Sequence, residues 1–309
     1  LTRPAAGDIL VSIRRYIAMA IPGLTIIGES INDSVPSTKK LFDENDLPGL
    51  LELARGQDEK GAAYIDVNVG LRSPEFMADL VRRIQSVTAK PLSLDTPDPA
   101  IAEGGLKAYD LERTGGRRPI LNSISPLRLQ MFDLWTVRPF VPILMASERF
   151  ERGAGCASAN RTAEETRQAA RALLEEARRR IPGFTNDQAI IDPGIAPIGG
   201  DCEGQLKRVL ESLALIHDDP FFAGIHMSVG LSNFTVMLPS KRKDGSPVKG
   251  PLESAFLTLA MPRGLDTIIG STVRKYEILA ADHPALACLE DILKLEGFET
   301  LMRVKKFYS

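Results

Sequence analysis

The chain has 309 residues, 44% hydrophobic and 25% charged, with a formal net charge of -2 and an isoelectric point near 6.1. That balance suits a soluble globular protein and offers no basic excess for wrapping nucleic acid. The longest apolar stretches, such as YIAMAI at 16–21, fall far short of the ~20 residues needed to span a bilayer. No signal-peptide core follows Arg14 and Arg15, so the expectation is a cytoplasmic protein with no membrane partner.

The first predicted element is a helix over residues 7–21, forming an N-terminal extension (1–23) that covers the floor of the domain behind it. From 24 to 309, short apolar runs rich in β-branched residues alternate with longer segments of helical period, the pattern of βα units. The runs are LTIIG at 24–28, AYIDV at 63–67, PLSLD at 91–95 and PILNS at 119–123, then FVPILMA at 140–146, QAIID at 188–192, GIHMSVG at 224–230 and LDTIIG at 265–270. Helices are predicted between them over 46–61, 73–89, 98–114, 162–181, 201–218 and 251–261, with a shorter one at 125–135. Thr162 stands three residues before Glu165, a capping-box signature. The segment GAGCASANR at 153–161 reads as a surface connection. After the eighth run, 273–283 and 285–298 are predicted as closing helices.

Eight βα units in about 250 residues predict a TIM (β/α)8 barrel of the α/β class in a single domain. A doubly wound sheet would carry a Gly-rich phosphate turn after its first strand, and GESINDS is not one. The cysteines (156, 202, 288) and histidines (217, 226, 283) form no metal-ligand spacing, so no bound metal is expected.

In a barrel the active site is built where the strands end. Here those ends are polar: Glu29 and Asn32, Asp66 and Asn68, Asp95, Asn122, Asp192, Ser232 and Asn233, and Ser271. Taken singly, each is explained as a helix cap or a turn residue. Together they would crowd one mouth, and burying so many is costly unless a polar ligand meets them. The ends supply no lysine, histidine or cysteine for covalent chemistry. Carboxylates and amides suit a flat heterocycle that offers several N–H donors and a carbonyl.

Six motifs then fall in a telling order: GESIND at 28–33, GAAYIDVNVG at 61–70, LSLDT at 92–96, ILNSIS at 120–125, IIDPGI at 190–195 and VGLSNF at 229–234. They resemble the pterin-binding barrels, and within them the methyltetrahydrofolate:corrinoid (iron-sulfur) protein methyltransferases and the folate module of cobalamin-dependent methionine synthase. The resemblance implies an enzyme of one-carbon metabolism that moves a methyl group between N5 of tetrahydrofolate and cobalt. The substrate would be tetrahydrofolate or 5-methyltetrahydrofolate. The corrinoid (cobalamin) would come from a separate partner protein, because the chain has no DxHxxG cobalamin-ligand motif. A homodimer is also implied.

Carried over by position, Asp95, Asn122 and Asp192 would anchor the pterin, and Asn233 would be the catalytic amide that hydrogen-bonds N5. Asn32, Asp66 and Asn68 are expected to contribute further substrate contacts, and Lys241 or Arg242 to meet the folate tail. Ser30 stands where the family pattern has arginine, and Val236 and Pro239 where it often has polar side chains. Two alternatives stay open: a dihydropteroate synthase-like enzyme, against which the absence of a Ser-Arg-Lys-Ser sequence at strand seven counts, and a non-catalytic folate-binding barrel, which would have no use for Asn233.

Overall fold

The computed structural model describes residues 21–151 and 156–309. Eight parallel strands close into a barrel: β1 (Thr25–Asn32), β2 (Tyr64–Asn68), β3 (Leu92–Asp95), β4 (Ile120–Ile124), β5 (Val141–Met145), β8 (Ile190–Asp192), β9 (His226–Gly230) and β10 (Thr267–Gly270). Strand β1 pairs with both β2 and β10, which leaves the barrel sheet without an edge. The eight apolar runs are the eight barrel strands, with ends that coincide or shift by up to four residues. Two further strands, β6 (Glu148–Glu151) and β7 (Cys156–Ala159), form an antiparallel hairpin between β5 and β8.

The helices follow from local chemistry as well as burial. Helix Ala163–Arg180 opens on the reciprocal Thr162–Glu165 capping box, with acids in its first turn and three arginines in its last, which matches both ends of the helix dipole. Its buried stripe includes Thr166, Ala170, Leu173, Leu174 and Ala177, an i, i+3, i+4 pattern facing the barrel. No helix among the described residues is long and apolar enough to cross a membrane.

Three sequence expectations need amendment. The helix expected at 7–21 falls, but for its last residue, outside the described residues. The segment 153–161 is in part a strand, since Cys156–Ala159 pairs with β6. Residues 273–283 are not helical: Glu277 N–H donates to Ser254 Oγ and Leu279 N–H to Thr258 Oγ1, so helix Lys249–Ala260 satisfies this backbone from outside. A chain whose amides are met by a neighbour has no need of its own helical ladder. Two helices, Pro36–Asp43 and Phe298–Tyr308, were not expected.

The core has two parts. A large cluster fills the space between strands and helices, and a small one, Ile27, Ile120, Ile143 and Ile190, plugs the barrel axis. Side chains two apart on a strand point the same way. The axial isoleucines therefore predetermine which residues stand above them.

Candidate active site

Moving two residues on from the inward layer gives Glu29 after Ile27, Asp66 after Tyr64, Asn122 after Ile120, Met145 after Ile143 and Asp192 after Ile190. All five line one cavity of about 540 Å³ at the C-terminal mouth of the barrel, together with Asp95, Asn32 and Asn233. Pairing sets the heights, with Asp95 directly beside Asn122. Register shifts between Gly28 and Ile31 in β1, and between Asn122 and Ile124 in β4, break the ladder at the site residues themselves. Such irregularities commonly re-aim side chains beside an active site.

Each acid has its own neighbours. Asp192 accepts from Gly194 N–H at 2.8 Å and from Ser228 Oγ at 2.9 Å. Gly194 sits at φ +69°, and a Cβ there would meet Ser147 Cβ at 2.4 Å, so only glycine fits this turn. Asn68 donates its amide to Asp95 at 2.9 Å and accepts from Gly70 N–H at 2.9 Å, which fixes which way the amide faces. Glu29 accepts from the Ser232 hydroxyl, tying β1 to the segment after β9. Asp66 differs: it is 1% exposed, and neither carboxylate oxygen has a hydrogen-bond partner among the described residues.

Burial is the main cause of raised carboxyl pKa values here. It lifts Asp192 to about 6, against the pull of Gly194, Ser228 and the Arg208 charge. Asp66 is raised well above its ordinary value by burial and then by the charge of Asp95, opposed by the nearby Ser93 hydroxyl and Asn122 amide. Burial also raises Asp95, opposed by the Asn68 amide and the Arg128 charge, and raises Glu29, opposed by Ser232 and Arg274. Crowded acids that resist ionising offer a mixture of O–H donors and carboxylate acceptors.

The expected residues thus separate. Asp95, Asn122, Asp192, Asn233, Asn32 and Asp66 line the cavity, while Asn68 reaches it through Asp95. Lys241 does not line it, being exposed and held by a backbone bridge to Pro247. Sequence reasoning missed a wall formed by the hairpin, with Glu148, Ala159 and Asn160. Asn160 pins the hairpin base by donating to Ala146 O at 2.9 Å. It also missed Arg208, a buried arginine whose guanidinium donates to Pro193 O and Gly194 O and so holds the turn that follows Asp192. A cation at a core-facing position of helix Gln205–Asp218, between Leu206 and Val209, was the available signal.

Comparison with known proteins places the chain among relatives of the same fold. Over 265 residues the chain is 28% identical to the methylcorrinoid:tetrahydrofolate methyltransferase of Eubacterium limosum, covering 80% of this chain and 84% of that protein. Two solved structures share the fold at low identity. The dihydropteroate synthase of Xanthomonas albilineans with 4-aminobenzoic acid is 16% identical, with a TM-score of 0.54, covering 88% of this chain and 94% of that one. The 7,8-dihydropteroate synthase of Vibrio fischeri is 15% identical, also at 0.54, covering 92% of each. The family profile described as "Pterin binding enzyme" matches residues 31–270, the span that contains Asn32 through Asn233, and the chain belongs to that family.

Proposed function

We propose that this protein is a methyltransferase that moves a methyl group between the cobalt of a separate corrinoid protein and N5 of tetrahydrofolate. The convergence of Asp66, Asp95, Asn122, Asp192 and Asn233 on one cavity, floored by isoleucines, is the observation that carries this reading. An unpartnered buried carboxylate such as Asp66 is costly, and the N–H groups of a pterin would relieve it. The ring would lie on the apolar floor, with Asp95, Asn122 and Asp192 at its pyrimidine edge and Asn32 at the rim.

The open side of the cavity then presents N5 to Asn233. As N5 attacks the methyl carbon, the N–C bond forms, the Co–C bond breaks and its electron pair stays on the metal. The amide oxygen of Asn233 would accept from the N5–H, which becomes more acidic as positive charge develops on N5, and the proton then leaves to water to give neutral 5-methyltetrahydrofolate. A hydrogen bond that strengthens in the transition state lowers the barrier. The same contact serves the reverse transfer. The name of the Eubacterium limosum relative supports the direction toward tetrahydrofolate.

The rim supports a macromolecular methyl donor. Leu71, Leu127, Phe150, Val236, Met237 and Val273 all stand exposed on segments that follow barrel strands. Exposed apolar groups on the strand-following segments of a barrel suit a partner that docks and leaves.

An anaerobic absorbance assay with methylcobalamin and tetrahydrofolate tests the reading: cob(I)alamin should appear as 5-methyltetrahydrofolate forms. Asn233→Ala should slow transfer about a hundredfold with pterin affinity changed by less than about threefold. Equal loss of rate and affinity would remove Asn233 from the chemical step, and no transfer with either free or protein-bound corrinoid would overturn the function.

A further inference from the structure

A second cavity, of about 420 Å³, opens beside the mouth, between the segment leading into helix Lys249–Ala260 and the segment that follows β10. Lys249, Arg274 and Lys275 line it, with Glu277 the only acid among its lining residues. Two of the three cations are already matched: Arg274 pairs with the fully buried Glu253, and Lys275 lies 3.5 Å from Glu277. Lys249 forms no ion pair among the described residues, and its ammonium donates only to Val236 O, at 3.4 Å. Burial and the Arg274 charge both lower its pKa, the mark of a cation short of an anion.

Other features point the same way. The helix that begins at Lys249 has no side-chain cap on its first turn, so its amides and dipole face the same region. His283 also lines the cavity, and its Nδ1 accepts from Ala285 N–H, which places the proton of the neutral ring on Nε2. The lining therefore has donors on several sides and one unneutralised positive charge.

The two cavities are neighbours. Arg274 acts electrostatically on Glu29 in the barrel mouth, and the Thr235 hydroxyl, two residues beyond Asn233, bonds the same Glu253 that holds Arg274. We propose that this cationic cavity binds the glutamyl carboxylates of the folate whose ring occupies the barrel mouth. This rests on the folate reading above. A folate carries its carboxylates at the far end of an aminobenzoyl spacer, so their site must lie beside the ring pocket and not in it. The basic run at 241–243 is less suited: Lys241 is outside the cavity, and the Arg242 guanidinium stacks on Phe307 at 4.1 Å.

The test compares the equilibrium binding of 5-methyltetrahydrofolate with that of a 5-methyltetrahydropterin lacking the tail. The wild-type chain should prefer the tailed ligand by about tenfold, the scale of one charge-assisted hydrogen-bonded contact. Lys249→Gln should reduce that preference to about twofold or less, Lys249→Arg should restore most of it, and Lys241→Gln should leave it in place. A preference that survives Lys249→Gln, or is lost with Lys241→Gln instead, would overturn the tail site. So would a wild-type chain that binds both ligands equally, though the folate reading would then stand. If the wild-type chain binds neither ligand, the folate reading itself falls and the tail site with it.

Discussion

At the scale of single residues, the site was legible because period-two geometry is strict. An isoleucine on the barrel axis followed two places later by Glu29, Asn122 or Asp192 fixes a polar group above an apolar plug. Arg208 was harder to read, because its role depends on carbonyls of the turn after β8 that no local pattern announces. Burying an acid also has a cost that can be measured. Asp192 has a folded-state pKa of about 6 against an ordinary 3.8, so the stability of its protonated form is complete below 3.8 and is lost as pH rises through 6. Asp192→Asn cannot ionise and keeps an acceptor for Gly194 N–H, while the Ser228 hydroxyl can turn to accept from the new amide. It should therefore be more stable than the wild type above about pH 6, by on the order of 3 kcal/mol. Thermal melts at several pH values should show the gap closing on acidification toward about pH 4. A gap that does not change with pH would mean that Asp192 does not titrate in this range.

At the scale of elements, eight apolar runs and a capping box were enough to place the barrel, because strands buried on both faces must be continuously apolar. The failure at 273–283 is equally physical. VRKYEILAADH has apolar groups at roughly helical spacing, yet two of its amides, those of Glu277 and Leu279, are satisfied by hydroxyls on helix Lys249–Ala260, a partner that local sequence does not reveal. The hairpin of β6 and β7 was obscured because its strands, ERFE and CASA, are four residues each and lack an apolar run. This view makes Thr258 a structural residue. Leu279 is nearly buried, and Thr258→Val keeps the shape of the side chain while leaving Leu279 N–H without its acceptor. The variant should lose about 1–3 kcal/mol in urea unfolding. A loss within about 0.5 kcal/mol of zero would mean that solvent reaches this amide and that the outside partner does not hold the segment.

At the scale of the whole molecule, the barrel separates its tasks by height. Isoleucines close the axis, acids and amides stand above them, and segments that follow the strands carry exposed apolar side chains. Leu71 is the extreme case at 99% exposure, on the turn after β2, with Leu127 on the segment after β4. Exposed positions such as these seldom affect stability when changed. If the rim receives the corrinoid-bearing partner, Leu71→Gln combined with Leu127→Gln should raise KM for the corrinoid protein about tenfold, the scale of one or two lost interface contacts. Transfer from free methylcobalamin should stay at the wild-type rate, because a small corrinoid needs the cavity and not the rim. The comparison separates docking from chemistry. Equal loss with both donors would place these leucines in the site itself, and no loss with either would leave the apolar rim without a role in methyl transfer.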